Sequence, residues 1–235
     1  MPTSGELVAR AVTADEMKEI ENRGVTFGIS KLVMMENAGH SLAAEAMNVL
    51  FGKSRTKMTK HPKILLVAGT GNNGGDVFVA ARHLLFWMPN GIDLFLVGRE
   101  ADVKTEEALV NLRALRNVKP KVPFHAIYTQ SRVNYLMKEL KSADLIIVGI
   151  FGTGFRGEPR SIQRAVIDVI NQNTNSFVMS VDLPSGMGAD TGDFEIAVLS
   201  DVTVTMHAPK VGMLATQRSK KVCGKIVVAN IGLPR

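Results

Sequence analysis

The run Gly69-Thr70-Gly71-Asn72-Asn73-Gly74-Gly75-Asp76 packs four glycines, two asparagines and one carboxylate into eight residues. Glycines let a backbone come close to a ligand and expose its N–H groups. Asn72 and Asn73 add amide donors and carbonyl acceptors. Gly69, Gly71 and Gly74 fit G-x-G-x-x-G, the fingerprint of a dinucleotide-binding turn. Asp76 does not suit that use. It falls near the expected helix start, where a pyrophosphate would rest, and a fixed carboxylate there repels one. At a helix start it would also stabilise the helix.

Two further runs carry chemistry. Gly149-Ile150-Phe151-Gly152-Thr153-Gly154-Phe155-Arg156-Gly157-Glu158 is again glycine-rich, with a hydroxyl at Thr153 and a guanidinium at Arg156 that could meet a phosphate. Asp182-Leu183-Pro184-Ser185-Gly186 follows an apolar run. A carboxylate at the end of a buried strand is partly desolvated, which favours a raised pKa and general acid/base work. Each run also has a plain structural reading: a tight strand-to-helix turn, a flexible loop and an Asx turn. Their occurrence together favours function.

These loops need elements to hold them. Short apolar runs at residues 63–69, 92–97, 123–128, 144–149, 177–181, 202–206 and 225–228 read as strands. Helical patterns fall between them at residues 75–87, 104–116, 133–141 and 160–171. Two helices precede the first strand. One opens with a capping-box pattern from Thr13 to Glu16, and one spans residues 30–50. The alternation predicts an α/β fold: a three-layer α/β/α, Rossmann-like, doubly wound and mostly parallel sheet with N-terminal helices. In such sheets ligands bind beyond the carboxyl ends of the strands, where all three loops fall. No internal repeat or second-domain boundary is visible, so one domain is expected over residues 1–235.

Composition agrees. Hydrophobic residues make up 46% of the 235 and charged residues 21%, enough for a large core. A single cysteine, Cys223, excludes a disulfide framework and suits a reducing, cytoplasmic setting. The five histidines lack metal-ligand spacing. No apolar run reaches membrane-spanning length, and no signal peptide is visible. The net charge of +6 is densest at Lys53, Arg55, Lys57, Lys60 and Lys63, a run that reads as a solvated linker. Neither a nucleic acid nor a membrane is expected as a partner.

Taken together, the loops resemble the NAD(P)H-hydrate epimerases, the YjeF N-terminal domain family. The matching motifs are Met35-Glu36-Asn37-Ala38-Gly39, Gly71-Asn72-Asn73-Gly74-Gly75-Asp76-Val77, Ala80-Ala81-Arg82, Asp182-Leu183-Pro184-Ser185-Gly186, Lys210-Val211-Gly212 and Ala229-Asn230-Ile231-Gly232-Leu233-Pro234. The resemblance implies an isomerase that interconverts the R and S forms of hydrated NADH and NADPH. An ATP- or ADP-dependent dehydratase, separate or fused, then restores the S form. It implies substrate contacts from Asn72, Asn73, Gly74, Gly75 and Asp76, from Gly152, Thr153, Gly154, Phe155, Arg156, Gly157 and Glu158, and from Asp182. Asp182 is the expected acid/base residue. Arg156 and Lys210 are the expected phosphate contacts. Asp76 then orients the loop or the polar substrate. The resemblance also implies a homodimer.

The family's potassium ion would draw ligands from Asn73, Ser185 and position 149. There the family has an aspartate and this chain has Gly149. A hard cation wants oxygen ligands, so losing the charged one weakens the site. Asp144 lies five residues earlier, on the opposite face of the strand, and does not substitute. Two other classes compete. One is a non-catalytic binding or scaffold protein on the same fold. The other is an NAD-dependent oxidoreductase, with Glu100 as its ribose-binding acid, which the position of Asp76 disfavours.

Overall fold

The computed structural model describes residues 10–52, 61–173 and 175–234. Most of the basic linker, residues 53–60, lies outside the described residues.

Seven strands form one sheet: β1 (Ile64–Ala68), β2 (Ile92–Val97), β3 (Phe124–Ile127), β4 (Leu145–Gly149), β5 (Phe177–Val181), β6 (Val202–Met206) and β7 (Lys225–Ala229). Their order is β3-β2-β1-β4-β5-β6-β7, and all six neighbouring pairs are parallel. The sequence reading allowed a mostly parallel sheet; the described sheet is wholly so. A parallel sheet is buried on both faces, which is why its central strands are apolar throughout. Side chains alternate between the faces. Ile64, Leu66 and Ala68 join one core with Leu145 and Ile147, while Leu65, Val67, Ile146 and Val148 join the other.

Each face is covered by helices. The first core takes α2 (Lys31–Phe51), α3 (Asn72–Trp87) and α4 (Glu106–Asn117). The second takes α5 (Gln130–Leu140) and α6 (Ser161–Asn171). α1 (Ala14–Thr26) precedes them, and its predicted capping box forms: Thr13 Oγ1 accepts from the Glu16 N–H while Glu16 accepts from the Thr13 N–H. Two short helices, α7 (Val211–Ala215) and α8 (Gln217–Cys223), stand before β7.

α3 departs from expectation. It begins at Asn72, not Gly75. Asn72, Asn73, Gly74 and Gly75 are weak helix formers. Packing decides the matter instead. A Cβ at Gly74 would lie 1.9 Å from the Gly69 carbonyl oxygen, and one at Gly75 would lie 2.6 Å from Met35 Sδ. Only glycines let this first turn lie so close to the strand end and to α2. Gly39 does the same from α2, where a Cβ would lie 2.3 Å from Val79 Cβ.

No helix among the described residues is long and apolar enough to cross a membrane.

Candidate active site

The strand order reverses direction between β1 and β4. The loop after β1 and the loop after β4 therefore part there and leave a crevice, the usual ligand site of an open α/β sheet. A cavity of about 750 Å³ opens at this point, a size that suits a nucleotide-sized ligand. Asn72, Asn73 and Asp76 line it from α3, residues 152–156 from the loop after β4, and Asp182 from the end of β5.

Asn73 ties these loops together. Its Nδ2 donates to the Phe151 carbonyl at 2.8 Å and to the Val181 carbonyl at 2.8 Å. One side chain thus joins α3 to the loop after β4 and to β5. Ser185 works beside it. Its Oγ accepts from the Ile150 and Phe151 N–H groups at 3.2 and 3.1 Å and lies 3.3 Å from the Phe151 carbonyl.

These same atoms bear on the potassium expectation, and what the chain lacks is the carboxylate at position 149. The Phe151 and Val181 carbonyls already accept from the Asn73 amide, and Ser185 Oγ is committed to the loop. Position 149 offers no carboxylate, and a Cβ there would lie 2.6 Å from Val77 Cγ2 and 2.7 Å from the Asn73 carbonyl oxygen. Asp144 precedes β4 at its far end, where its carboxylate accepts from the Lys63 N–H at 2.8 Å.

Asp182 stands at positive φ (+65°), a strained setting that is uncommon outside glycine and clusters at functional sites. Its Oδ1 accepts from the Met206 N–H at 3.2 Å and forms an ion pair with Lys210. Lys210 is wholly buried, and its ammonium also donates to Thr205 Oγ1 at 3.0 Å and the Met206 carbonyl at 3.1 Å. The expected phosphate contact at Lys210 is therefore replaced by a buried counter-ion. A lysine with no exposed surface spends its charge where its partner is. Arg156 is exposed and bonds its own loop, its Nη1 donating to the Thr153 and Phe155 carbonyls at 2.7 and 2.8 Å. Phe155 stacks on Phe151 with ring centroids 4.2 Å apart, which stiffens the loop.

Asp76 also differs from its expected role. Because α3 starts at Asn72, Asp76 lies beyond the first turn and does not cap the helix. It is buried, and burial first, then the charges of Asp182 and Glu21, holds its carboxyl well above the usual carboxylate range; Lys210 opposes this.

Not every expected contact reaches the cavity. Gly74 and Gly75 serve helix packing, as described. Gly157 adopts a positive φ of +80°, a turn role. Glu158 accepts from the Glu195 N–H at 3.2 Å. Gly149 and Ser185 lie behind the cavity wall.

The sequence reading missed the opposite wall. Asp15, Lys18 and Glu21 from α1 and Lys31 from α2 line the cavity. Glu21 is raised above the usual carboxylate range by burial first and then by the charge of Asp182, with Lys31 and Lys210 opposing. Helical spacing gave no signal here, since these are charges on an ordinary amphipathic helix. The segment before α1 holds this wall in place. The Val12 N–H donates to the Pro209 carbonyl at 2.9 Å and the Val12 carbonyl accepts from the Val211 N–H at 3.0 Å. The Ala14 N–H donates to Asp190 at 2.7 Å.

Residues 31–212 match the model of the family described as YjeF-related protein N-terminus. The chain belongs to that family. Among its YjeF-related relatives, an NAD(P)H-hydrate epimerase from Nitrosopumilus maritimus is 37% identical, over 95% of both chains. Another from Elusimicrobium minutum is 34% identical, over 96% of this chain and 97% of its own. A bifunctional NAD(P)H-hydrate repair enzyme from Archaeoglobus fulgidus is 34% identical over 95% of this chain, and this chain spans 42% of its length. A yeast protein of solved crystal structure shares the YjeF-related fold, with a TM-score of 0.75 and 24% identity over 94% of this chain and 87% of its own.

Proposed function

We propose that this chain is an NAD(P)H-hydrate epimerase, an isomerase that interconverts the R and S forms of hydrated NADH and NADPH. The observation that supports this most is the meeting of three loops around one cavity at the strand-order reversal, with Asp182 at its edge. Similarity along nearly the whole chain to proteins named for this activity points the same way.

In this reading Asn72 and the backbone of residues 152–154 hold the polar nucleotide, and Asp182 faces the hydrated ring. The described side-chain hydrogen bonds of Asp182 all fall on Oδ1, so Oδ2 is the oxygen offered to the cavity. Epimerisation needs the ring hydroxyl to leave as water, a cationic ring to persist briefly, and water to add to the other face. A fixed carboxylate beside that ring stabilises the cation and handles a proton, which general acid/base catalysis rewards with about 10²–10⁴-fold in rate. Lys210 fixes the carboxylate's position.

Asn73 supplies the order that a potassium ion would give this loop, so turnover proceeds without one. A dehydratase, as a separate chain or a fused domain, consumes the S form. The reaction takes place in the cytoplasm and the enzyme acts as a homodimer. The test is conversion of purified R-hydrate to the S form, with wild type and Asp182→Asn, in potassium and in sodium buffers. Fast conversion lost in the variant and equal in the two salts supports the reading. Conversion at the uncatalysed rate under every condition refutes it.

A further inference from the structure

The cavity holds more acid than one acid/base residue requires. Asp76, Asp182 and Glu21 all line it, and the lysine beside them is committed to Asp182. Asp76 and Glu21 are left without a counter-ion of that kind. Asp76 comes from α3, the helix after β1, and Asp182 from the end of β5, so the two carboxyl groups enter the cavity from different elements. Two carboxyl groups reaching one site, one from a helix and one from a strand end, suit a reaction that must act on both faces of a ring.

Resting on the epimerase reading, we propose that Asp76 and Asp182 work as an acid and a base on opposite faces of the hydrated ring, with Glu21 of α1 tuning Asp76. In one direction the proton passes from the Asp76 carboxyl to the ring hydroxyl. The C–O bond breaks with its electron pair on oxygen, and water departs. The ring nitrogen's lone pair fills the deficit at carbon and leaves a cationic ring. Water then forms the new C–O bond on the other face and gives its surplus proton to the Asp182 carboxylate. The reverse reaction runs with the roles exchanged; each R-to-S turnover moves one proton from Asp76 to Asp182, and exchange with solvent water returns it before the next turnover.

Such a pair works only if one member enters protonated and the other ionised. The surroundings differ in that sense: Lys210 pairs with Asp182, while burial first, then the charges of Asp182 and Glu21, raises the Asp76 carboxyl well above the usual carboxylate range. The other charges lining the cavity are Asp15 and Lys18 on α1, Lys31 on α2, Glu107 on α4 and Arg156 on the loop after β4, of which Lys31 and Glu107 act on Glu21. Glu21 touches neither the ring nor the proton in transit. It is a positioning residue for charge.

The experiment has two independent readouts. Carbon-13 NMR of labelled aspartate and glutamate carboxyls gives the titration of Asp76 without substrate, in wild type and Glu21→Gln, with Asp76→Asn assigning the signal. The pH profile of kcat/KM for R-to-S conversion is taken on the same proteins. We expect Asp76 to titrate above the ordinary carboxylate range and Glu21→Gln to lower its midpoint by about one pH unit. The alkaline limb of the rate profile should move down with it, while Asp76→Asn loses on the order of 10²-fold or more. An Asp76 that titrates in the ordinary range, or a midpoint unmoved by Glu21→Gln, overturns the proposal. So does an Asp76→Asn variant that epimerises at the wild-type rate. If wild type epimerises while the Asp76 titration is ordinary, this proposal fails alone; if wild type does not epimerise, both readings fail.

Discussion

Lys210→Met should cost this protein much of its stability, because it removes one half of a buried ion pair. Lys210 has no exposed surface and the Asp182 side chain is 10% exposed. The substitution leaves Asp182 Oδ1 with the Met206 N–H and a Thr205 hydroxyl that is 3.5 Å away. It also strips a donor from Thr205 Oγ1 and from the Met206 carbonyl. Breaking a buried pair on one side typically costs about 3–5 kcal/mol. With 235 residues at about 2.1 cal/mol/K each, the entropy of unfolding is about 0.5 kcal/mol/K, so the melting temperature should fall by roughly 6–10 °C. Differential scanning calorimetry reads this directly. The reasoning also demands coupling. Asp182→Asn with Lys210→Met should cost less than the sum of the two single variants, by about 2 kcal/mol, since the double variant buries no unpaired charge. Additive losses, or a Lys210→Met protein that melts within about 2 °C of wild type, would show that the pair is not the buried interaction described.

Other consequences can be checked separately. Asp76→Asn should stabilise the fold at neutral pH. The folded-state pKa of Asp76 is raised, so below the unfolded value both states hold the proton and nothing is lost. As pH rises past that value the unfolded chain ionises first, and the folded state loses about 1.4 kcal/mol for each unit of displacement until its own pKa is reached. Urea titrations should therefore show a gain for Asn over Asp that is larger at pH 7 than at pH 4; an equal gain at both contradicts it. Cys223 is fully buried and its thiol is pushed up to about 12, so a maleimide at pH 8 should label the unfolded chain and spare the folded one. Gly74→Ala should destabilise by about 1–3 kcal/mol in urea, because its Cβ meets backbone that cannot turn aside. A loss below about 0.5 kcal/mol would mean that the first turn of α3 is less tightly seated than described.

The strands were legible because each is a short apolar run buried on both faces, a pattern that composition writes plainly. The α3 start was not. Asn72, Asn73, Gly74 and Gly75 argue locally against a helix, and the contacts that impose one come from Gly69 and Met35. The three cavity loops could be picked out because glycine, amide and carboxylate crowd together in each. Lys210 was misread as a phosphate contact because lysine is almost never fully buried unless paired, and its partner lies 28 residues away. Glu21 escaped for a related reason. On α1 it is one charge among several, and only the tertiary fold shows that this charge faces Asp76 and Asp182.

The single backbone bridge at Val12 has a further consequence. Its two hydrogen bonds, to Pro209 and from Val211, straddle Lys210. The segment leading into α1 therefore cannot peel away without first breaking bonds on both sides of the residue that anchors Asp182. A helix at the margin of a fold ordinarily frays at little cost. Here fraying is tied to the two residues that flank Lys210, so the α1 wall and the anchor of Asp182 are coupled. The amides of Val12 and Val211 should therefore exchange their hydrogens on a common timescale.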